Sequence, residues 1–278
     1  MSTYGLSTIA RLTLLEASRR RITLAALAGG FTCVLIFAVS IYFIAGAMRA
    51  APLVLHRPRL QMLTLAGLYA ANFLVMAAAV LLPVDTLSGE IASGVMQTLA
   101  SKPIPRASIV LGKLLAYWIM LAAYILVMVL GVVLSMRLIA GFAQPHVPAA
   151  MALMLLEATV LLSIVFAGGV ELGTVANGVV AFAFYAVAFI GGWIEQIGVI
   201  VTRSVDARYI GTVISLVSPV DALWRLAMHA LEPPMMSQVV LTPFSALSVP
   251  TAAMVWWAVA YVIAALAFAV VRFERRAL

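Results

Sequence analysis

The chain has 278 residues, of which 65% are hydrophobic and 10% charged, with a mean hydropathy of +1.16. Soluble domains carry roughly 25% charged residues, so the composition excludes an ordinary soluble protein and indicates an integral membrane protein. The formal net charge of +7 then reads as basic residues that flank apolar spans and face anionic lipid, not as a nucleic-acid surface.

Residues 1–21 precede the first apolar run and read as an interfacial helix on the cytoplasmic membrane surface, with Leu6, Ile9, Thr13 and Ala17 on one side. Glu16 and Arg20 fall on that same side, spaced to pair at i, i+4. The alternative for this stretch is a frayed tail. A cleaved signal peptide is not expected, because Arg19-Arg20-Arg21 lead into an apolar run far longer than the roughly 7–15 residues of an h-region.

Six apolar runs follow, at 24–48, 61–82, 109–136, 149–170, 175–201 and 249–271. Each has the roughly 20 residues that a hydrocarbon core of about 30 Å requires. The expected fold is all-α, a single transmembrane domain over 1–278 with six spans and both termini on one side. Only Glu171-Leu172-Gly173-Thr174 separate the fourth and fifth runs, which therefore form a tight hairpin. With the termini inside, the inner segments hold ten Lys and Arg and the outer segments seven. This weak bias, with three arginines abutting the first span, places both termini in the cytoplasm. Cys33 is the single cysteine and lies in the first span, which excludes an intramolecular disulfide and a multi-cysteine metal site.

Between the second and third runs lies a polar interruption, residues 85–113, DTLSGEIASGVMQTLASKPIPRASIVLGK. From Gly89 to Ala100 the residues Ile91, Val95, Thr98 and Leu99 recur at helical spacing, which predicts one three-turn helix with a single apolar stripe. Glu90, Ser93, Gln97 and Ser101 occupy the other face. Lys102-Pro103-Ile104-Pro105 ends that helix, since each proline lacks an amide proton and pushes its predecessor out of the αR region. A solvated loop that merely joins two spans is the alternative. Glu90, Gly94, Leu99, Lys102-Pro103-Ile104, Arg106 and Leu111-Gly112-Lys113 resemble the pattern E-x-x-x-G-T-x-x-x-L-x-x-P-[IV]-x-R-x-x-[IL]-x-x-G-K of ABC-2 type transporter permeases, with Val95 in place of the threonine. The resemblance implies that residues 85–106 form a cytoplasmic coupling helix seated in a groove of a separate ATPase, with Glu90, Ile91, Gly94, Val95, Leu99, Lys102 and Arg106 at the contact.

Residues 202–248 are too polar and proline-rich to span. Ile210, Val213, Ile214 and Val217 make one amphipathic stripe, and Val220, Leu223, Trp224, Ala227 and Leu231 another. Ser218-Pro219 form an N-cap and N1 pair between them, with Asp221 in the first turn, where the helix dipole favours negative charge. The expectation is two short helices on the outer membrane surface, or re-entrant into it, with Pro233-Pro234 and Pro243 breaking the chain before the last span. Thr174-Val-Ala-Asn-Gly178, Ile190-Gly-Gly-Trp-Ile-Glu195, Ser218-Pro-Val-Asp-Ala-Leu-Trp-Arg225 and Arg272-Phe-Glu-Arg-Arg276 extend the ABC-2 permease resemblance over most of the chain.

Inside the spans, Glu157 is the most unusual residue, because an ionised carboxylate at that depth costs a few kcal/mol unless paired or hydrated. Either it faces a translocation path and handles a polar or cationic substrate or a proton, or it is a structural group bonded to a neighbouring helix. Asn72 in the second span is a second candidate for the path, with an interhelical hydrogen bond as its alternative. Gly29-Gly30, Gly168-Gly169 and Gly191-Gly192 are expected to permit close helix approach or a kink, as packing features and not ligand sites. His56, His146 and His229 lie in different loops without a metal-binding motif, and no G-x-x-x-x-G-K-[ST] is present. The expectation is a permease subunit with no bound cofactor and no catalytic residue, while two partner ABC ATPase subunits bind ATP and Mg. The resemblance further implies a homodimer, or a heterodimer with a homologous permease, in a prokaryotic inner membrane, and ATP-driven export. Two alternatives stay open: a mechanotransmitting subunit that drives an extracytoplasmic partner through residues 206–231 without moving a solute, and a membrane anchor or enzyme unrelated to ATPases.

Overall fold

In hydrocarbon an apolar run has no water to satisfy its backbone, so each run closes its own hydrogen bonds as a helix. The computed structural model describes residues 3–48, 56–100, 105–201, 205–232 and 249–276, and no strand occurs among them. In chain order the helices are α1 (Thr3–Ser18), α2 (Arg21–Met48), α3 (His56–Leu81), α4 (Ser88–Ala92), α5 (Val95–Ala100), α6 (Arg106–Ala140), α7 (Val147–Glu171), α8 (Thr174–Val201), α9 (Val205–Val217), α10 (Val220–Leu231) and α11 (Ala253–Arg275). Six of them, α2, α3, α6, α7, α8 and α11, are long and apolar enough to cross a membrane.

The bundle is built around α7, against which α3, α6, α8, α10 and α11 all pack. Its inward residues Met154, Ala158, Leu161, Leu162, Val165 and Phe166 are fully buried. By contrast α2 keeps Phe31, Ile36, Tyr42 and Phe43 exposed. An exposed apolar face of this kind suits lipid, because acyl chains are as apolar as the side chains themselves.

Helix α1 lies on the start of α6, with Ile9, Ala10, Thr13 and Ala17 buried. A Cβ on Gly112 would come within 2.9 Å of Ile9 Cγ2, so the glycine admits this crossing. Leu12 and Leu15 face outward, as an interfacial helix requires. Glu16 and Arg20 pair at 2.6 Å as their spacing predicts. At the opposite end of the chain, Arg106 at the start of α6 donates hydrogen bonds to the carbonyls of Glu274 (3.2 Å) and Arg276 (2.8 Å). Both ends of the described chain therefore meet at one end of the bundle, here called the terminal end; the opposite end is the far end.

Helices α9 and α10 are the two short helices expected before the last span, and they form a hairpin packed against the bundle, as the re-entrant form of that expectation describes. Helix α9 runs back along α8, and α10 packs between α7 and α8. The Ser218 hydroxyl at the tip donates to the Phe184 carbonyl at 3.2 Å, partway along α8. Trp257 Nε1 donates to the Leu216 carbonyl (3.0 Å), and Gln61 Nε2 at the far-end start of α3 donates to the carbonyl of Leu231 (3.1 Å). On α9 Gly211, Ile214 and Ser215 face the protein, while Val213 and Val217 of the expected apolar stripe are exposed. The reason is the solvent: in lipid, small and polar residues line helix contacts and apolar ones face out. Close approach of the hairpin depends on Gly191 and Gly192, where a Cβ would collide with Ile214 and with the Asp221 carboxylate.

Candidate functional site

Two places concentrate polar side chains. The first is at the terminal end, where residues 85–100 form two short helices instead of one. Gly94 has φ +76 and separates α4 from α5, so the apolar stripe is not continuous. Periodicity carried the pattern through that position, but a left-handed residue redirects the chain, and glycine adopts it without the Cβ penalty. Met96, fully buried, anchors α5, and Ile91 packs partly against the core. Ala92, Ser93, Val95, Gln97 and Thr98 are exposed and make an outward face. Lys102 and the side chain of Leu99 lie outside the described residues, as do Pro103, Pro233, Pro234 and Pro243. Gly94→Ala is expected to destabilise the protein by roughly 1–2 kcal/mol through backbone strain alone, since no atom lies near the added methyl. Thermal melting in detergent reads this, and an unchanged melting temperature contradicts it.

Glu90 is not on the outward face. Its carboxylate takes an ion pair at 2.5 Å from Lys113 on α6, and the two side chains are 13% and 5% exposed. Asp85 lies 3.8 Å from Arg20, at the α1–α2 junction, and accepts a hydrogen bond at 2.9 Å from Thr174, at the start of α8. Ser88 shares a 2.9 Å hydrogen bond with the same threonine. Asn177 Nδ2 donates to the carbonyls of Val165 (3.0 Å) and Val84 (3.4 Å), which ties α8 to α7 and to the segment leading into α4. Arg272 on α11 pairs with Glu171 at 2.7 Å. Thus α1, α4, α6, the α7–α8 turn and α11 are joined at one end by polar contacts. Sequence reasoning missed Arg20, Asp85, Lys113, Thr174 and Asn177 as members of this junction. The signals were there in the G-K that closes the first motif and in Thr174-Val-Ala-Asn-Gly178.

The second place is inside the bundle. Asn72 Nδ2 on α3 donates to Glu157 Oε1 on α7 at 3.1 Å, and the residues are 4% and 1% exposed. The structure thus brings together the two residues singled out within the spans. They line a small cavity with Tyr69, Tyr185, Phe189, Asp221 and Trp224. Tyr69 and Trp224 close one wall edge to face, with ring centroids 5.1 Å apart. Along α10 from Asp221, Arg225 is 2% exposed and bridges two carboxylates, Nε to Asp221 Oδ2 at 2.9 Å and Nη1 to Glu195 Oε2 at 2.9 Å. Its Nη2 donates to Ser215 Oγ at 3.1 Å. Sequence reasoning placed Asp221 as a helix-dipole residue and passed over Glu195 and Arg225. Among the described residues no three His, Cys, Asp or Glu are grouped to hold a metal.

Comparison with known proteins adds one match. A family model described as ABC-2 family transporter protein matches residues 7–278. A search of curated proteins finds no match.

Proposed function

The chain belongs to the ABC-2 family of transporter proteins, a multi-pass permease subunit of an ABC transporter, and we propose that it couples to its ATPase partners through the outward face of α4 and α5. ATPase subunits generally accompany permeases of this family. We place the terminal end in the cytoplasm, where two ATPase subunits bind ATP and Mg, and pair the chain with a second or homologous permease in a prokaryotic inner membrane. Closure of the ATPases pushes on α4–α5, and the ion pair to Lys113 carries the displacement into α6. The Thr174 contacts carry it into the α7–α8 hairpin, and Arg20 into α1. The resulting shift of the spans drives export from the cytoplasm or inner leaflet.

The observation that supports this reading is the division of labour within residues 85–100. Glu90, Ser88 and Met96 are turned inward and fix the segment, while Ala92, Ser93, Val95 and Gln97 are left exposed. Driving an outside partner through residues 206–231 would instead have to use the exposed side of α9, since α10 is enclosed over most of its length. Val95→Asp and Gln97→Lys change the outward face without touching the inward one. Each is expected to weaken capture of the ATPase in detergent by tenfold or more, about 1.4 kcal/mol or above, with the permease melting temperature unchanged. Full capture by both variants sinks the coupling assignment.

A further inference from the structure

The buried polar cluster has an unbalanced composition. Three carboxylates, Glu157, Asp221 and Glu195, line two neighbouring cavities, and Arg225 is the only Lys, Arg or His among the described residues that line them. The outer cavity, of about 220 Å³, lies toward the far end against Glu195, Thr212, Ser215, Arg225 and the segment before α11. The inner one offers about 10 Å³ to the centre of a water-sized sphere, room for a single water or an ion of that size. One turn of α10 separates them, since Asp221 lines the inner cavity and Arg225 the outer.

The inner cavity also contains two unmet acceptors. Glu157 Oε2 and Asn72 Oδ1 have no hydrogen-bond partner, although both residues are more than nine-tenths buried. Every ionisable group that lines this cavity is an acid: Tyr69 on α3, Tyr185 on α8 and Asp221 on α10, with Arg225 behind Asp221 and committed to two carboxylates. Helices α6 and α11 contribute no lining residue. Buried acceptors without donors, beside surplus negative charge, favour a small positive ligand. The aromatic faces of Phe189 and Trp224 suit a cation as well. No three His, Cys, Asp or Glu are grouped here among the described residues, as a closed transition-metal site would need.

We propose that the Glu157–Asn72 cavity binds one small monovalent cation, a proton or an alkali ion such as sodium, admitted from the far end through the Glu195–Arg225 cavity. The site lies within one subunit and gives the permease an ion-binding step separate from its ATPase contact. Binding neutralises Glu157 between α3, α7 and α10, and so links ion occupancy to the seating of the re-entrant hairpin. This inference does not depend on the coupling assignment, because it is tested on the permease alone.

The test is labelling of the purified full-length chain in detergent with a hydrophobic carbodiimide, which adds to a protonated carboxyl, located by mass spectrometry. Melting temperatures are followed in parallel in sodium chloride and in choline chloride at equal ionic strength. Glu157 is expected to be labelled. If the ligand is sodium, labelling falls with sodium and not with choline, and the wild type alone is stabilised by sodium while Glu157→Gln is not. If it is a proton, labelling falls only as pH rises, sodium has no effect, and the pH dependence of melting is flattened in Glu157→Gln. Asn72→Leu keeps the carboxyl and removes one ligating oxygen, and is expected to weaken a sodium response about tenfold, whereas a proton response persists, because the lost amide is a donor to the ionised carboxylate. Should Glu157→Gln fail to fold, the wild-type labelling and Asn72→Leu decide the matter. Labelling of Glu157 that responds to neither sodium nor pH, or no labelling at all with no ion-dependent melting, overturns the proposal.

Discussion

Lys113→Met is expected to destabilise the permease by about 3–5 kcal/mol, the usual penalty for stranding one member of a buried ion pair. Glu90 is the stranded member, 13% exposed beneath α4 with its carboxylate turned to α6. Methionine keeps the length and apolar stem of lysine, so the loss isolates the charge. Glu90→Gln with Lys113→Met removes both charges and is expected to recover most of the melting temperature, because a neutral pair leaves nothing uncompensated. The double variant then separates stability from function. It keeps Val95 and Gln97 exposed, yet α4 has lost its ionic tether to α6. ATPase capture near wild type, with ATP hydrolysis no longer stimulated by the permease, is the result that makes this pair the mechanical link. Stimulation at the wild-type level in a folded double variant places the link elsewhere, in the Thr174 and Arg20 contacts to Asp85.

How far the sequence anticipates these contacts depends on how local they are. Glu16 and Arg20 are one helical turn apart, and their pairing follows from spacing alone. The six spans follow from length and apolarity, which the membrane converts directly into helix. Glu90 and Lys113 are separated by a proline corner, and spacing does not say in which direction that corner turns. Glu157 and Asn72 were each conspicuous as polar residues in apolar runs, but their meeting depends on the register of α3 against α7, which no periodicity encodes. The packed side of α9 differs from the expected stripe for another reason. A stripe of Ile210, Val213, Ile214 and Val217 means an inward face in water, whereas here Val213 and Val217 are exposed and Gly211 and Ser215 are buried. In such a segment the small and polar residues are the better guide to the packed side. On α9 and α8 those residues, with Glu195 and the Gly191-Gly192 pair, mark where the hairpin sits.

Arg225→Met is expected to have the larger effect. Arg225 is the cation between Glu195 and Asp221 and is 2% exposed. Its removal leaves two buried carboxylates without their shared cation, so the penalty exceeds the roughly 3–5 kcal/mol of a single stranded charge. Total stabilities of about 5–15 kcal/mol leave little after such a loss. Failure to accumulate a folded, monodisperse chain in detergent is therefore the expected outcome, read by size exclusion. Arg225→Lys supplies the charge but cannot span Glu195, Asp221 and Ser215 at once, because an ammonium lacks the planar fork of a guanidinium. It should fall between wild type and methionine. The decisive member of the series is Arg225→Met combined with Glu195→Gln and Asp221→Asn, which removes every charge of the triad while keeping side-chain volumes close. If ion pairing seats the hairpin, this triple variant folds better than Arg225→Met alone. If packing of Leu223, Trp224 and Leu231 seats it, all charge variants fold alike and the triad is a polar site that the hairpin carries. The triple variant also keeps Glu157 and Asn72 intact, so carbodiimide labelling of Glu157 in it asks directly whether the ion reaches the inner cavity past Glu195 and Arg225.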